Sequence, residues 1–218
     1  MVHFTLFGIP VYIRPSFWVV LAIFGGALSI SSVEDLIYPA LFVIAGFVAI
    51  LSHEMGHALV GRKLGGGQQT IVLELFGGLT SSHGMQLTRG GRALMILAGP
   101  MMTLLLGIIS LWLTWNIVAP VMTSYNLNFW DLAISPFTAA LISPKLYILS
   151  CLIMIGEWWT ILNLLPIYPL DGGQLIAQYI RSPRKVFMTG FITAILIGLL
   201  SFQLFHGYFI PIFMALFA

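Results

Sequence analysis

Long apolar runs fill most of this chain, and polar residues interrupt them at intervals. Pro39–Leu64, Arg92–Pro120, Leu146–Leu165 and Val186–Phe205 are each long enough, as helices, to cross about 30 Å of hydrocarbon. Phe17–Ile30 is shorter and reads as a first span, with the apolar segment before it, Phe4–Ile13, lying along the interface. The tail, Gly207–Ala218, is apolar but only 12 residues long, and reads either as a sixth span or as an interfacial segment. The pattern therefore predicts an all-α polytopic membrane protein of five or six transmembrane helices. One stretch departs from it. Gly65–Gly91 is rich in Gly, Ser, Thr and Gln, and the β-branched and aromatic residues of Thr70–Phe76 predict a strand. Gly77-Gly78 then turns it into a short β-hairpin between the second and third spans.

Composition agrees with the pattern. The chain is 59% hydrophobic and 7% charged, against about 25% charged in soluble proteins. The formal charge of +2 is too small to point to nucleic acid, and the basic residues fall at the ends of apolar runs rather than in one patch, so no nucleic acid partner is expected. The basic residues carry topology instead. If the five runs alternate in direction, Arg14, Arg62, Lys63, Arg89, Arg92, Arg181, Arg184 and Lys185 share one side and Lys145 stands alone on the other, which makes the first side cytoplasmic. Cys151 is the single cysteine, so no internal disulfide forms. No removable signal peptide, internal repeat or appended soluble domain is read. Residues 1–218 are expected to form one membrane domain, of a size that suits a prokaryotic cell membrane.

The second span contains His53-Glu54-Met55-Gly56-His57. Histidines at i and i+4 project from one side of a helix, so both imidazoles can reach one metal ion, and Glu54 stands beside them, placed to take a proton from a water there. Along the helix His57 lies about 7 Å before Arg62 and about 27 Å from Pro39. The ion would be submerged, nearer the cytoplasmic face, and its water would enter by a cavity from that side. A hydrolytic zinc site usually has three protein ligands and one open position. Two acids in later spans qualify for the third, Glu157 and Asp171. Asp171 is the better candidate, because Asn163-Leu164-Leu165-Pro166-Ile167-Tyr168-Pro169-Leu170-Asp171-Gly172-Gly173 breaks the helix with two prolines and two glycines, and irregular backbone at membrane depth is tolerated where it lines a polar cavity.

His53-Glu54-x-x-His57 in a membrane helix, followed by Asn163-x-x-Pro166-x-x-Pro169-Leu170-Asp171-Gly172, resembles the site-2 protease family of intramembrane zinc metalloproteases. The resemblance spans a three-helix core of about 39–173. It implies one zinc ion per chain bound by His53, His57 and Asp171, with Glu54 as general base and Asn163 holding the substrate or stabilising the oxyanion. It also implies a transmembrane protein as substrate, cleaved within or near its membrane segment in the lipid bilayer, with control from a regulatory membrane partner or a homo-oligomer. Ala98-Gly99-Pro100 resembles a further family feature, although Thr103 stands where many members have Asn, and Tyr168 replaces a frequent proline. Other readings are a membrane-helix chaperone or scaffold, for which an intact Glu54 has no use, and a metal or proton transporter.

A peptide bond inside a helix is shielded, so the substrate must unwind locally. Thr70–Phe76 is expected to pair with the unwound segment by β-augmentation; the alternative is a hairpin that only caps the bundle. The plainer readings of the other polar residues are Asp171 as a helix-end cap, Asn163 as a helix-to-helix bond, Glu157 facing a polar group away from the metal, and His83 as a solvated loop residue. Trp112, Trp115, Trp158 and Trp159 read as interface anchors and packing.

Overall fold

The computed structural model describes residues 1–75, 77–125, 128–180 and 182–205. Phe76, Arg181 and the Gly207–Ala218 tail lie outside the described residues. The chain divides into two compact units, Met1–Trp159 and Thr160–Ala218.

The first unit begins with two strands, β1 (Val2–Leu6) and β2 (Ile9–Ile13), and a helix, α1 (Pro15–Phe24). The long helix α2 (Ile37–Gly65) follows, then β3 (Gln68–Glu74), β4 (Gly77–His83) and the long helix α3 (Arg89–Tyr125). Two short helices, α4 (Phe129–Ile134) and α5 (Pro136–Ala140), lead into α6 (Pro144–Leu164), which runs on into the second unit. There α7 (Asp171–Ala177) and α8 (Pro183–Phe205) complete the described chain. Among the described residues, four helical segments are long and apolar enough to cross a membrane: Glu34–Gly65, Arg89–Ala119, Pro144–Leu164 and Pro183–Leu200.

Two expectations need correction. Phe4–Ile13 is a strand pair rather than an interfacial stretch, and with β3 and β4 it forms one sheet in the order β1-β2-β3-β4. β2 runs parallel to β3 through Val11–Ile13, and both hairpins are antiparallel. Pro10 has no N–H to give, but it precedes the three residues paired with β3, so that ladder loses nothing. The segment read as a span over Phe17–Ile30 is a helix of 10 residues, about 15 Å long, ending at Phe24. Gly25 and Gly26 stop it, Gly26 at φ 88°.

The sheet buries alternate residues. Ile9, Val11, Ile13, Ile71 and Leu73 share a core with Phe17 and Leu21 of α1 and with Ile50, Met55 and Ala58 of α2. Two polar contacts fix the rim: Arg14 pairs with Glu74 at 2.8 Å, and Arg62 near the end of α2 donates to the Phe7 carbonyl at 2.8 Å. Gly66 and Gly67, at φ 66° and 76°, end α2 and release the chain into β3. Because β3 is bonded to β4 along its length and to β2 at Ile71–Leu73, the centre of Thr70–Phe76 is enclosed, and the expectation that this stretch pairs with a substrate fails there. Among the described strands, the unpaired edges belong to β1 and β4.

In the same unit α2 and α3 meet where Gly56 faces the Ala98 carbonyl, with no room for a Cβ. α3 and α6 meet at Thr103, Gly107 and Gly156, the close small-residue contact usual between membrane helices. Thr103, fully buried, turns its hydroxyl back to the Pro100 carbonyl at 3.0 Å.

Candidate metal centre

His53, Glu54 and His57 sit within five positions of one continuous helix and are all buried, at 2%, 5% and 8% exposure. Such burial of three ionisable groups is costly in an apolar helix bundle unless each finds a partner. The geometry supplies partners. His57 Nδ1 lies 2.8 Å from the Met95 carbonyl oxygen on α3. A carbonyl only accepts, so Nδ1 carries the proton, and the lone pair of the neutral ring sits on Nε2. That Nε2 faces His53 Nε2 at 3.1 Å, with the two rings nearly perpendicular.

Two nitrogens about 2.0–2.1 Å from one tetrahedral zinc would stand about 3.3 Å apart. The observed spacing and the His57 tautomer both fit that ion. Gly99 fits it as well. A Cβ at position 99 would overlap His57 Nε2 and come within 2.9 Å of His53 Nε2, so only glycine leaves the space that the two donor atoms share.

Glu54 is held from the other side. Thr80 on β4 donates its hydroxyl to Glu54 Oε2 at 2.7 Å and lies 3.1 Å from the Glu54 carbonyl oxygen. Gly78, two residues earlier on β4, lies flat against the same side chain, and a Cβ there would collide with Glu54 Cγ. Alternation along the strand puts positions 78 and 80 on one face. Gly77-Gly78 reads in sequence only as a turn, and Thr80 carries no motif at all; their closeness to Glu54 arises from packing β4 against α2.

In the second unit the chain leaves α6 at Leu164 and makes an irregular turn over Leu165–Leu170, which includes the cis Tyr168–Pro169 bond. Asp171 is the first residue of α7 and is buried at 6% exposure. The N-cap of α7 is Leu170, so Asp171 does not fill the capping position itself. Gly172 and Gly173 lie against the backbone of Leu164, Leu165, Ile167 and Tyr168, again without room for a Cβ. Gln174 ties the turn by donating to the Pro169 carbonyl at 2.9 Å. Asn163, near the end of α6, is buried.

His53 and His57 are buried in the first unit and Asp171 is buried in the second, and all three are of metal-ligand type. The rival acid, Glu157, is exposed on α6. His83 is exposed at the end of β4, paired in register with Gln68. Trp112, Trp115 and Trp158 are exposed, whereas Trp159 packs against the sheet core.

The profile of peptidase family M50 matches residues 41–205. A zinc metalloprotease of Methanocaldococcus jannaschii is 29% identical over 174 residues, which cover 79% of this chain and 43% of that relative. The chain thus spans under half the length of that curated relative. A site-2 protease structure from Methanocaldococcus jannaschii superposes with a TM-score of 0.57 at 24% identity, covering 93% of this chain and 82% of that one, a likeness of fold.

Proposed function

We propose, from the premise that this chain belongs to peptidase family M50, that it is a zinc-dependent endopeptidase of the membrane, cutting peptide bonds within or near transmembrane segments. The observation that carries the reading is the buried pair of imidazole Nε2 atoms facing each other at 3.1 Å, with a buried carboxylate one residue away. His53, His57 and Asp171 are the ligands in this reading, and Glu54 is the general base. When bound, zinc supplies a Lewis acid that acidifies water towards neutrality and polarises a carbonyl. Glu54 takes one proton from the attacking water, whose oxygen bonds to the scissile carbonyl carbon. It returns that proton to the amine nitrogen as the C–N bond breaks. Asn163 holds the substrate or the developing oxyanion.

The protein is an integral membrane protein. The eight-to-one distribution of basic residues supports an active site nearer the cytoplasmic side, in a prokaryotic cell membrane. That count takes the segment from α1 to the start of α2 as one crossing, of which α1 itself covers about 15 Å, with the β3–β4 hairpin between the second and third crossings.

A helical substrate must expose its backbone, and β4 is the strand that can receive it. It has an unpaired edge and touches Glu54 through Gly78 and Thr80. In a bilayer, Leu79→Cys is expected to cross-link to a substrate carrying a single cysteine near its cleavage site, and Val72→Cys on the enclosed strand β3 is not. Equal cross-linking from both positions would remove β4 from this role.

The decisive experiment reconstitutes wild type, Glu54→Gln and Asp171→Ala with a set of single-span membrane peptides and measures cleavage and bound zinc. Glu54→Gln should lose turnover and keep its zinc; Asp171→Ala should lose both. Cleavage by Glu54→Gln at the wild-type rate would end the protease reading.

A further inference from the structure

We infer that Thr80 is a positioning residue for Glu54, fixing which oxygen of the carboxylate is left to exchange protons. The inference rests on the reading of Glu54 as general base. Thr80 Oγ1 has one proton and two acceptors within reach, Glu54 Oε2 at 2.7 Å and the Glu54 backbone oxygen at 3.1 Å. The carboxylate is the nearer, at the usual length of an O–H···O bond, and charge assistance favours it. Thr80 therefore donates to Oε2.

A carboxylate at the end of a flexible side chain has two equivalent oxygens and several rotamers. In this protein both freedoms are removed by one strand. Gly78 lies so close to Cγ, Cδ and Oε1 that the side chain passes flat over the β4 backbone in the space a Cβ would fill, and Thr80 then engages Oε2. Oε1 is left as the oxygen that accepts the water's proton and later gives it to the leaving amine. The hydroxyl itself loses no proton in the reaction and touches no reacting atom. It acts through Glu54 alone, and its value lies in geometry, because a displacement of about 1 Å in a proton-transferring group can cost about a hundredfold in rate. The same strand has the free edge on which a substrate would pair, so strand and base are positioned together.

Thr80→Val keeps the β-branched shape suited to a strand and removes only the hydroxyl; Thr80→Ser keeps the hydroxyl. With zinc-loaded protein and a single-span peptide that wild type cleaves, Thr80→Val should lower kcat about tenfold to a hundredfold. Its KM should stay within about twofold and its zinc content should not change, and Thr80→Ser should recover most of the rate. A readout independent of turnover is the carboxylate stretching band of Glu54 in 13C-glutamate-labelled, zinc-loaded protein, isolated by subtracting the Glu54→Gln spectrum. This band should shift in Thr80→Val and return in Thr80→Ser. An unshifted band in Thr80→Val overturns the inference, as does a rise in KM without a fall in kcat. If no form of the protein cleaves any peptide, the protease reading fails, and the band still decides whether Thr80 holds Glu54.

Discussion

The two halves of the proposed ligand set are built by opposite means. His53 and His57 stand on an uninterrupted helix of 29 residues, where one-turn spacing alone brings their rings together. Asp171 stands where the chain has just left a helix, passed through two prolines and begun a new helix of seven residues. Glycines crowd both places, but against different neighbours. Gly99 meets imidazole side chains, whereas Gly172 and Gly173 meet carbonyl groups and other backbone atoms. Side chains can rotate away from an added methyl group, and backbone held in a tight turn cannot. The helical half should therefore fail by losing its metal, and the turn should fail by losing its fold.

The larger effect is expected in the turn. Gly172→Ala sets a methyl group against the Leu164 and Leu165 carbonyls, so the Leu164–Asp171 segment has to open. Overpacking of this kind costs about 1–3 kcal/mol and more where nothing can move, and about 3 kcal/mol is expected here. Thermal unfolding of the purified protein should show a clearly lowered Tm together with loss of bound zinc. A variant with wild-type Tm that loses only zinc would erase the contrast between the two halves.

That contrast also explains what could be read without coordinates. The helix-borne motif was legible because its geometry is a matter of spacing: positions 53 and 57 share a face in any α-helix. Asp171 was legible because Pro166, Pro169, Gly172 and Gly173 mark a broken helix inside an apolar run, and Glu157 lacked such surroundings. The four long helices followed from run length, although α3 begins at Arg89 and continues past Pro120 to Tyr125. The N-terminal strands were not legible. Phe4–Ile13 has the apolar content of an interfacial segment, and its strand character depends on pairing with β3, some 60 residues further along the chain. The end of α1 was marked by Gly25-Gly26, a signal outweighed by the apolar residues beyond it. Thr80 was out of reach for a related reason: only the register that aligns β4 with β3, and the packing of the sheet on α2, bring an ordinary strand threonine to Glu54.

The smaller effect sharpens the comparison from the helical side. Gly99→Ala places its methyl group on His57 Nε2 and within 2.9 Å of His53 Nε2, and the neighbours that must yield are the two rings. Rotation of either ring takes a lone pair off the shared point, and for His57 it also strains the bond from Nδ1 to the Met95 carbonyl, which fixes the tautomer. Disturbing such an orienting contact typically weakens metal affinity by about 10–100-fold. A fall of that size is expected in competition with a graded chelator, with Tm of the metal-free protein changed little. Gly107→Ala is the matched control on the same helix. Its added methyl group would find only the Ile153 carbonyl, at 4.0 Å, and alanine improves helix propensity by up to about 1 kcal/mol, so zinc affinity should be unchanged and stability equal or slightly higher. If Gly99→Ala bound zinc as tightly as Gly107→Ala, the space beside the two imidazoles would not be what places their donor atoms. The helical half would then owe its geometry to the spacing of His53 and His57 alone.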